Sequence, residues 1–490
     1  MKIKYILAVV AVSATTQVAF AQYNQDALRF SRFDRGGTAR MKGIGNASTA
    51  IGGDLGAISA NPAGLGFFNA SEFSFTPELN GSDISSTYFN QNESASKNQF
   101  NFNNASIVFH TSQRVARGAD PTRGLLSVNF GLSWNRTNNF YDNVFYAGKN
   151  VNNSIADMLA DQAYNTGATI KELKAAGNPL GRWGYEHFLV DSVGMDATGN
   201  IYQSVTKLNS SQALTQGTTG GQNEFNLALG TNYGNKLYLG LSLGFTSLKY
   251  NSTSEFAETG QDTRFNQGYR TFFDNNQATT GSGFNLKAGL IYKPTQSVQL
   301  GASFSSPTWY SIEDRTTLGL ETFYQNNENY KDSKPFDRNY NLRTPLKVSG
   351  GLAVFAGNKG FISADVEYVD YSTMHLSGYE EAEDDNARIK QLYQSAVNAR
   401  IGGEAKLSDN VYARAGYGYL GNPEKGIGSA TTTISGGLGY RINNFFMDAT
   451  YTNVSRDQKV YGYELYDGGS PEASLKRKYN NVYLTIGFRF

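Results

Sequence analysis

The last twelve residues, Tyr479 to Phe490, constrain this chain more than any other stretch. Val482, Leu484, Ile486, Phe488 and Phe490 alternate with Tyr483, Thr485, Gly487 and Arg489, and the chain stops on an aromatic ring. Alternation with period two gives a strand with one apolar face and one polar or small face. The same pattern recurs through Leu126–Trp134, Phe225–Tyr233, Leu237–Phe245, Phe284–Tyr292, Val298–Phe304, Leu346–Val354, Ile362–Tyr368, Val397–Leu407, Val411–Tyr419, Ile434–Ile442 and Phe445–Tyr451. A chain so patterned builds a large antiparallel sheet that must close or pack on itself.

The amino terminus sets the compartment. Lys2 and Lys4 precede an apolar run from Tyr5 to Val12, and Ala19-Phe20-Ala21 supplies small residues, so a signal peptide over 1–21 is expected. The chain has no cysteine, which excludes disulfides and thiolate metal sites. No second apolar run approaches the ~18 residues of a helical span. The mean hydropathy of −0.44 suits a barrel with a polar interior, because only alternate residues meet lipid. Gly 53, Tyr 31 and Phe 31 fit the same picture, and the net charge of +1 argues against nucleic acid as a partner.

Tight turns at Gly234-Asn235, Pro294, Gly357–Gly360, Ser408–Asn410 and Asn443-Asn444 alternate with long polar connections near 252–280, 313–344, 374–394, 421–430 and 455–478. Short turns on one side and long loops on the other are the asymmetry of a transmembrane β-barrel. Counting back from Phe490, and adding strands near 71–79, 99–112 and 124–137, gives about fourteen strands over 71–490. The fold class is therefore all-β, an antiparallel transmembrane barrel. Its longest external loop is expected at about 138–222. Gly131 interrupts a regular strand and suggests a bend.

Residues 22–70 do not alternate and are dense in Gly, Ala and small polar residues, as expected of a plug packed inside the lumen rather than a charged linker. Within them, Gly37–Gly45 followed by Ser59-Ala60-Asn61-Pro62-Ala63-Gly64-Leu65 resembles the hatch of the long-chain fatty-acid transporter (FadL) family. Gly281–Asn285 running on to Tyr292-Lys293-Pro294, and Ala364–Ser372, resemble two of its barrel segments. The resemblance implies a fourteen-stranded outer-membrane barrel with a hatch carrying Asn61, Pro62, Ala63 and Gly64. It also implies a hydrophobic pocket near the mature amino terminus and lateral exit of substrate through the wall. The expected ligand is a long-chain fatty acid or similar hydrophobic molecule, with outer-membrane lipid around the barrel and the barrel-assembly machinery engaging Phe490.

In the long loop, Ile155, Met158, Leu159 and Gln162 have helical spacing. They either pack the loop onto the barrel rim or form an external greasy patch that captures an amphiphile, and Met158 and Leu159 are candidates for ligand contact on the second reading. By parity Lys347, Asp365, Glu367, Arg400, Glu404, Lys406, Arg414 and Asp448 face the lumen. The turn at Asp409 sets Glu404 across from Arg414, an ion pair worth under ~1 kcal/mol where solvated. Lys347 and Arg400 are the candidate receivers of a carboxylate. Otherwise these charges hold barrel and plug in register. The acidic run Glu380–Asp385 reads as a hydrated loop rather than a calcium site, so neither metal nor cofactor is expected. His110, His187 and His375 lie apart, without a nucleophile at catalytic spacing, so an enzyme is not expected. The alternative function is an outer-membrane receptor for haem or another hydrophobic ligand, with His187 or His375 as axial ligand.

Overall fold

The computed structural model describes residues 22–490 except 34, 114–119, 121, 168, 198 and 467, so the expected signal peptide lies outside the described residues. The strands begin with β1 (Glu72–Tyr88), β2 (Gln91–Ser112), β3 (Leu125–Asn139) and its continuation β4 (Asp142–Asn150). A small external hairpin, β5 (Val190–Asp196) and β6 (Gly199–Ser204), precedes β7 (Ser210–Tyr233), β8 (Leu237–Gln261) and β9 (Gly268–Tyr292). There follow β10 (Val298–Ser305), β11 (Trp309–Tyr324), β12 (Asn329–Arg343), β13 (Lys347–Phe355), β14 (Gly360–Asp370) and β15 (His375–Ser377). The last are β16 (Ser395–Lys406), β17 (Val411–Leu420), β18 (Thr431–Ile442), β19 (Phe445–Tyr461) and β20 (Glu472–Arg489).

Every neighbour in the main sheet is antiparallel. The ring closes where β1 meets β20, from Glu72 opposite Arg489 to Thr87 opposite Ser474. Four wall strands are composite. β3 and β4 both pair with β7, β10 and β11 both with β9, β12 continues into β13, and β14 into β15. Counted this way the barrel has 14 strands. Asn235 and Asn443 take left-handed conformations (φ 55° and 48°) in two of the tight turns, where Asn is tolerated because its side chain can bond locally.

The outward faces define a band. On β8 the exposed residues run Leu239, Leu241 and Phe245, then change to Ser247, Lys249 and Glu255; on β20 Phe488, Ile486 and Val482 give way to Lys478 and Lys476. A membrane crossing needs roughly 9–11 strand residues, and β8 has 25. The surplus rises beyond the apolar band as a tall β crown.

That crown corrects the expected loops. Most of 252–280, 313–344 and 455–478 is strand, with connections only at 262–267, 325–328 and 462–471. The expected 138–222 loop likewise shrinks to 151–209. Above the band the outward face meets water while the inward face packs on the loop helices through residues such as Phe256, Leu318 and Leu475, so the apolar-outward alternation ends although the ladder continues. Gly131 marks no bend. It stays in register opposite Val108 and Ala228, and its missing side chain admits Ile58 and Leu65 of the amino-terminal segment. The break in that wall comes at Phe140-Tyr141.

Residues 22–68 form α1 (Gln22–Ser31), α2 (Ala39–Gly43), α3 (Ala57–Ala60) and a 3-10 turn (Pro62–Phe67). They pack on inward-facing side chains of the wall. Ile44, Ile51 and Met41 join Ala353 and Phe361, while Leu55, Ile58 and Leu65 join Val108 and Ala228. The 151–209 connection folds α4 (Ile155–Thr166), α5 (Ile170–Ala175) and α6 (Leu180–Glu186) over the opposite end. α7 (Ala382–Leu392) occupies the former acidic loop, and no carboxylate or histidine group that could hold a metal ion occurs among the described residues.

Candidate functional site

Small residues in the amino-terminal segment let it approach the wall closely. A Cβ on Gly301 would overlap the carbonyl of Thr49, one on Gly402 the carbonyl of Ile44, and one on Gly240 the backbone of Pro62. Asn61 donates from Nδ2 to Thr49 O at 2.6 Å, Ala302 O at 3.3 Å and Leu290 O at 3.4 Å. Its Oδ1 accepts from Ala63 N–H at 3.2 Å. Pro62 opens the 3-10 turn, where no N–H is needed, and Ala63 and Gly64 are buried in it. Asn129 of β3 ties the end of that turn by donating to Leu65 O (2.6 Å) and Phe68 O (3.1 Å).

Two buried ionic networks fasten the segment. Arg35 donates to Asp365 (3.1 Å), Glu367 (2.9 Å), Ser349 (2.8 Å) and Thr49 (3.2 Å). Asp365 Oδ2 also accepts from the Ser48 and Thr49 amides, both at 2.9 Å, and the second Glu367 oxygen accepts from Arg400 at 3.0 Å and Asn398 at 2.8 Å. The other network joins Arg40 to Glu404 (2.8 Å), Glu404 to Arg414 (2.6 Å) and Arg414 to Asp448 (2.7 Å). Glu404 does sit opposite Arg414 in register, but Arg414 is fully buried and Arg40 completes the cluster. The value of a solvated pair therefore does not apply, because desolvation dominates and each charge depends on its partners. Arg35 and Arg40 gave no periodic signal in the sequence. The clue was the excess of inward acids on β14 that needed a partner from elsewhere.

Between the amino-terminal segment and the loop helices lies a cavity of about 1180 Å³. Ordinary small-molecule pockets span roughly 300–1,000 Å³. Tyr23, Leu28 and Phe33 line its lower side, Tyr250, Phe256 and Tyr479 its wall, and Met158, Leu180 and Tyr463 its upper side. Lys347 and Arg400 both line it and both are buried. Arg400 is held by Glu367, whereas the Lys347 ammonium stands over the Phe33 ring at 2.9 Å. Met158 and Leu159 are 5 % and 0 % exposed, so they form no external patch. The apolar stripe of α4 turns inward onto Trp183, Leu180 and Tyr146, and only Met158 of the two reaches the cavity.

His187 caps α6 beneath the crown. Its Nδ1 lies 3.1 Å from Thr322 Oγ1, its Nε2 3.0 Å from Asp332, and Tyr324 donates to its carbonyl at 2.8 Å. Both ring nitrogens are thus engaged, leaving none for haem iron, and His375 is exposed on β15, opposite Arg343. Burial holds the His187 imidazole below its usual range, against the pull of Asp332. An undocked loop would therefore bind more protons below about pH 6.5, so docking is fully favourable above that pH and weakens as the pH falls through it. Protection of the amides over 180–190, measured as exchange relative to the intrinsic rate at each pH, is expected to fall at pH 5 relative to pH 8, and His187→Gln should remove that difference. Equal pH dependence in both proteins would refute a role for His187 in docking.

No known family profile matches the sequence, and no curated protein sequence matches it either. Solved structures do. The toluene transporter TodX of P. putida is 14% identical over 93% of this chain and 99% of that one, with a TM-score of 0.55. A Pseudomonas aeruginosa FadL homologue is 13% identical over 94% and 99%, with a TM-score of 0.53. The Ralstonia pickettii toluene transporter TbuX is 14% identical over 93% and 99%, with a TM-score of 0.50. At such identities the likeness is one of fold. With its closed ring, apolar band and inward charges, the chain is an outer-membrane β-barrel with the architecture of the FadL-type transporters.

Proposed function

We propose that this chain admits hydrophobic or amphipathic small molecules, long-chain fatty acids among them, across the outer membrane without an energy source. The carrying observation is the aromatic-lined cavity held between residues 22–68 and the loop helices. On this reading residues 22–68 are a hatch. A substrate gains ~0.8 kcal/mol per CH₂ removed from water, enough to drive partition into such a chamber. TodX and TbuX bear the description of toluene transporters, and the shared fold supports a hydrophobic cargo here.

Sideways exit has its own support. The ladders of three adjacent wall strands break at one level, at 306–308, 344–346 and 371–374, between the pairs Ser305–Lys347 and Trp309–Arg343 and between Val369–Lys347 and His375–Arg343. Pro307 and Pro345 lie in two of these breaks and cannot donate to a ladder. Irregular backbone at membrane depth is tolerated where it borders a cavity, and Lys347 and Tyr371 at this level line the chamber.

The test is uptake of labelled oleate and of toluene by cells that lack other hydrophobic-compound channels, with and without this protein in the outer membrane. Uptake above the empty-vector control is expected for at least one compound. Rates equal to the control for both would sink the reading.

A further inference from the structure

The chain is close to neutral overall, yet among the described residues eleven Arg and Lys side chains line the chamber against five carboxylates. Several of the cations are satisfied. Arg400 is held by Glu367, Lys97 donates to Thr218 O, and Arg136 donates to Gly220 O. One group differs. Arg456 of β19 and Arg477 of β20 lie directly opposite each other on the inward face, and like charges in that position destabilise a sheet. The Nε of each is buried with no partner among the described residues.

Arg477, 8 % exposed, is anchored through Nη1 to Asp142 at 2.6 Å, which fixes its plane. Among the described residues Arg456 has only Gln458, in its own strand, at 3.2 Å. The charges of Arg32 and Arg477 both bear on Arg456, opposed by Glu424. Among the described residues the Arg32 guanidinium has no hydrogen-bond or ionic partner, and it faces the same chamber. Val454 and Leu420 supply apolar wall beside the group.

We propose that Arg32, Arg456 and Arg477 form a receptor for the tetrahedral oxyanion head of an amphiphile, a phosphate- or sulfate-type group, within the uptake chamber. Three guanidinium forks offer more donors than the two oxygens of a carboxylate accept in plane. A tetrahedral oxyanion presents three or more acceptors and meets them from several directions. It also relieves the Arg456–Arg477 repulsion. This inference rests on the uptake reading, because it assigns a head-group class to the same chamber.

The experiment uses the full mature protein in nanodiscs and measures binding of dodecyl phosphate, dodecanoate, dodecanol and inorganic phosphate by native mass spectrometry. Dodecyl phosphate is expected to bind about tenfold or more tighter than dodecanoate, the size of one or two charge-assisted hydrogen bonds. In Arg456→Gln and Arg32→Gln the ratio should fall toward one, with heat-modifiable gel migration confirming a folded barrel. A ratio near one in the wild type, a ratio unmoved in both variants, or inorganic phosphate bound as tightly as dodecyl phosphate would each overturn the proposal. Dodecanol separates the two ideas. If the wild type binds dodecanol but shows no phosphate preference, only the receptor fails, whereas no binding of any alkyl compound removes the uptake chamber itself.

Discussion

Deleting residues 22–65 is expected to turn a closed barrel into an ion-conducting pore in planar bilayers. The wall facing this segment is built for it. Gly240, Gly301 and Gly402 present bare backbone inward, and each has a segment atom where its own side chain would stand. Removing the segment leaves space at these places, with no wall side chain to refill it. It also returns Asp365, Glu367 and Glu404 to water, each now bonded to an amide or guanidinium of the deleted stretch. A lumen lined by charges and freed of its filling hydrates and passes ions, as larger polar-lined barrels do. The ring itself closes through β1 and β20, neither of which is touched by the deletion. The wild type should show no steady open level under the same voltage. Identical conductance in the two proteins would show that residues 22–65 do not block the pathway.

How much of this was legible depends on what surrounds each strand. Within the membrane, lipid on one side and lumen on the other impose alternation, so β20, β8 and β16 could be read with their faces correct. Beyond the band the constraint vanishes, and Ser252–Gln261 and Asn329–Arg343 read as polar loops although they are strand. The amphipathic spacing of Met158 and Leu159 was real, but spacing cannot say whether an apolar face is covered. The long crown supplies the cover, through Tyr146, Leu214 and Phe256. Parity placed Lys347, Arg400, Glu404 and Arg414 in the lumen because it depends only on register. It could not place Arg35, which sits in a segment with no period and reaches β14 from 330 residues away. Nor could it show Arg456 opposite Arg477, since that pairing depends on the register of strand extensions taken for loop.

Arg35→Met is expected to free the amino-terminal segment while leaving the barrel closed as a ring. Arg35 is buried and gives four hydrogen bonds to β13, β14 and its own segment. Without it Glu367 keeps Arg400 and Asn398, but Asp365 keeps only neutral donors from Ser48 and Thr49. Breaking a buried ion pair by removing one partner costs about 3–5 kcal/mol, because the remaining charge stays desolvated. The strain is relieved most simply by withdrawal of residues near 35–49, which lets water reach Asp365. The β1–β20 seam is untouched, whereas Arg40 lies within the withdrawing stretch and gives up Glu404 each time it opens, in wild type and variant alike, so the two rates differ by the Arg35 bonds alone. Trypsin cleavage after Arg40 or Lys42 should then accelerate by ~10²–10³, the factor that ~3–4 kcal/mol of opening free energy supplies. Arg35→Lys keeps the charge but not the fork that spans Asp365 and Glu367, so its rate should fall between the two. Cleavage of Arg35→Met at the wild-type rate would mean that the segment is held by its glycine-lined seat alone, with the Arg35 network contributing nothing measurable.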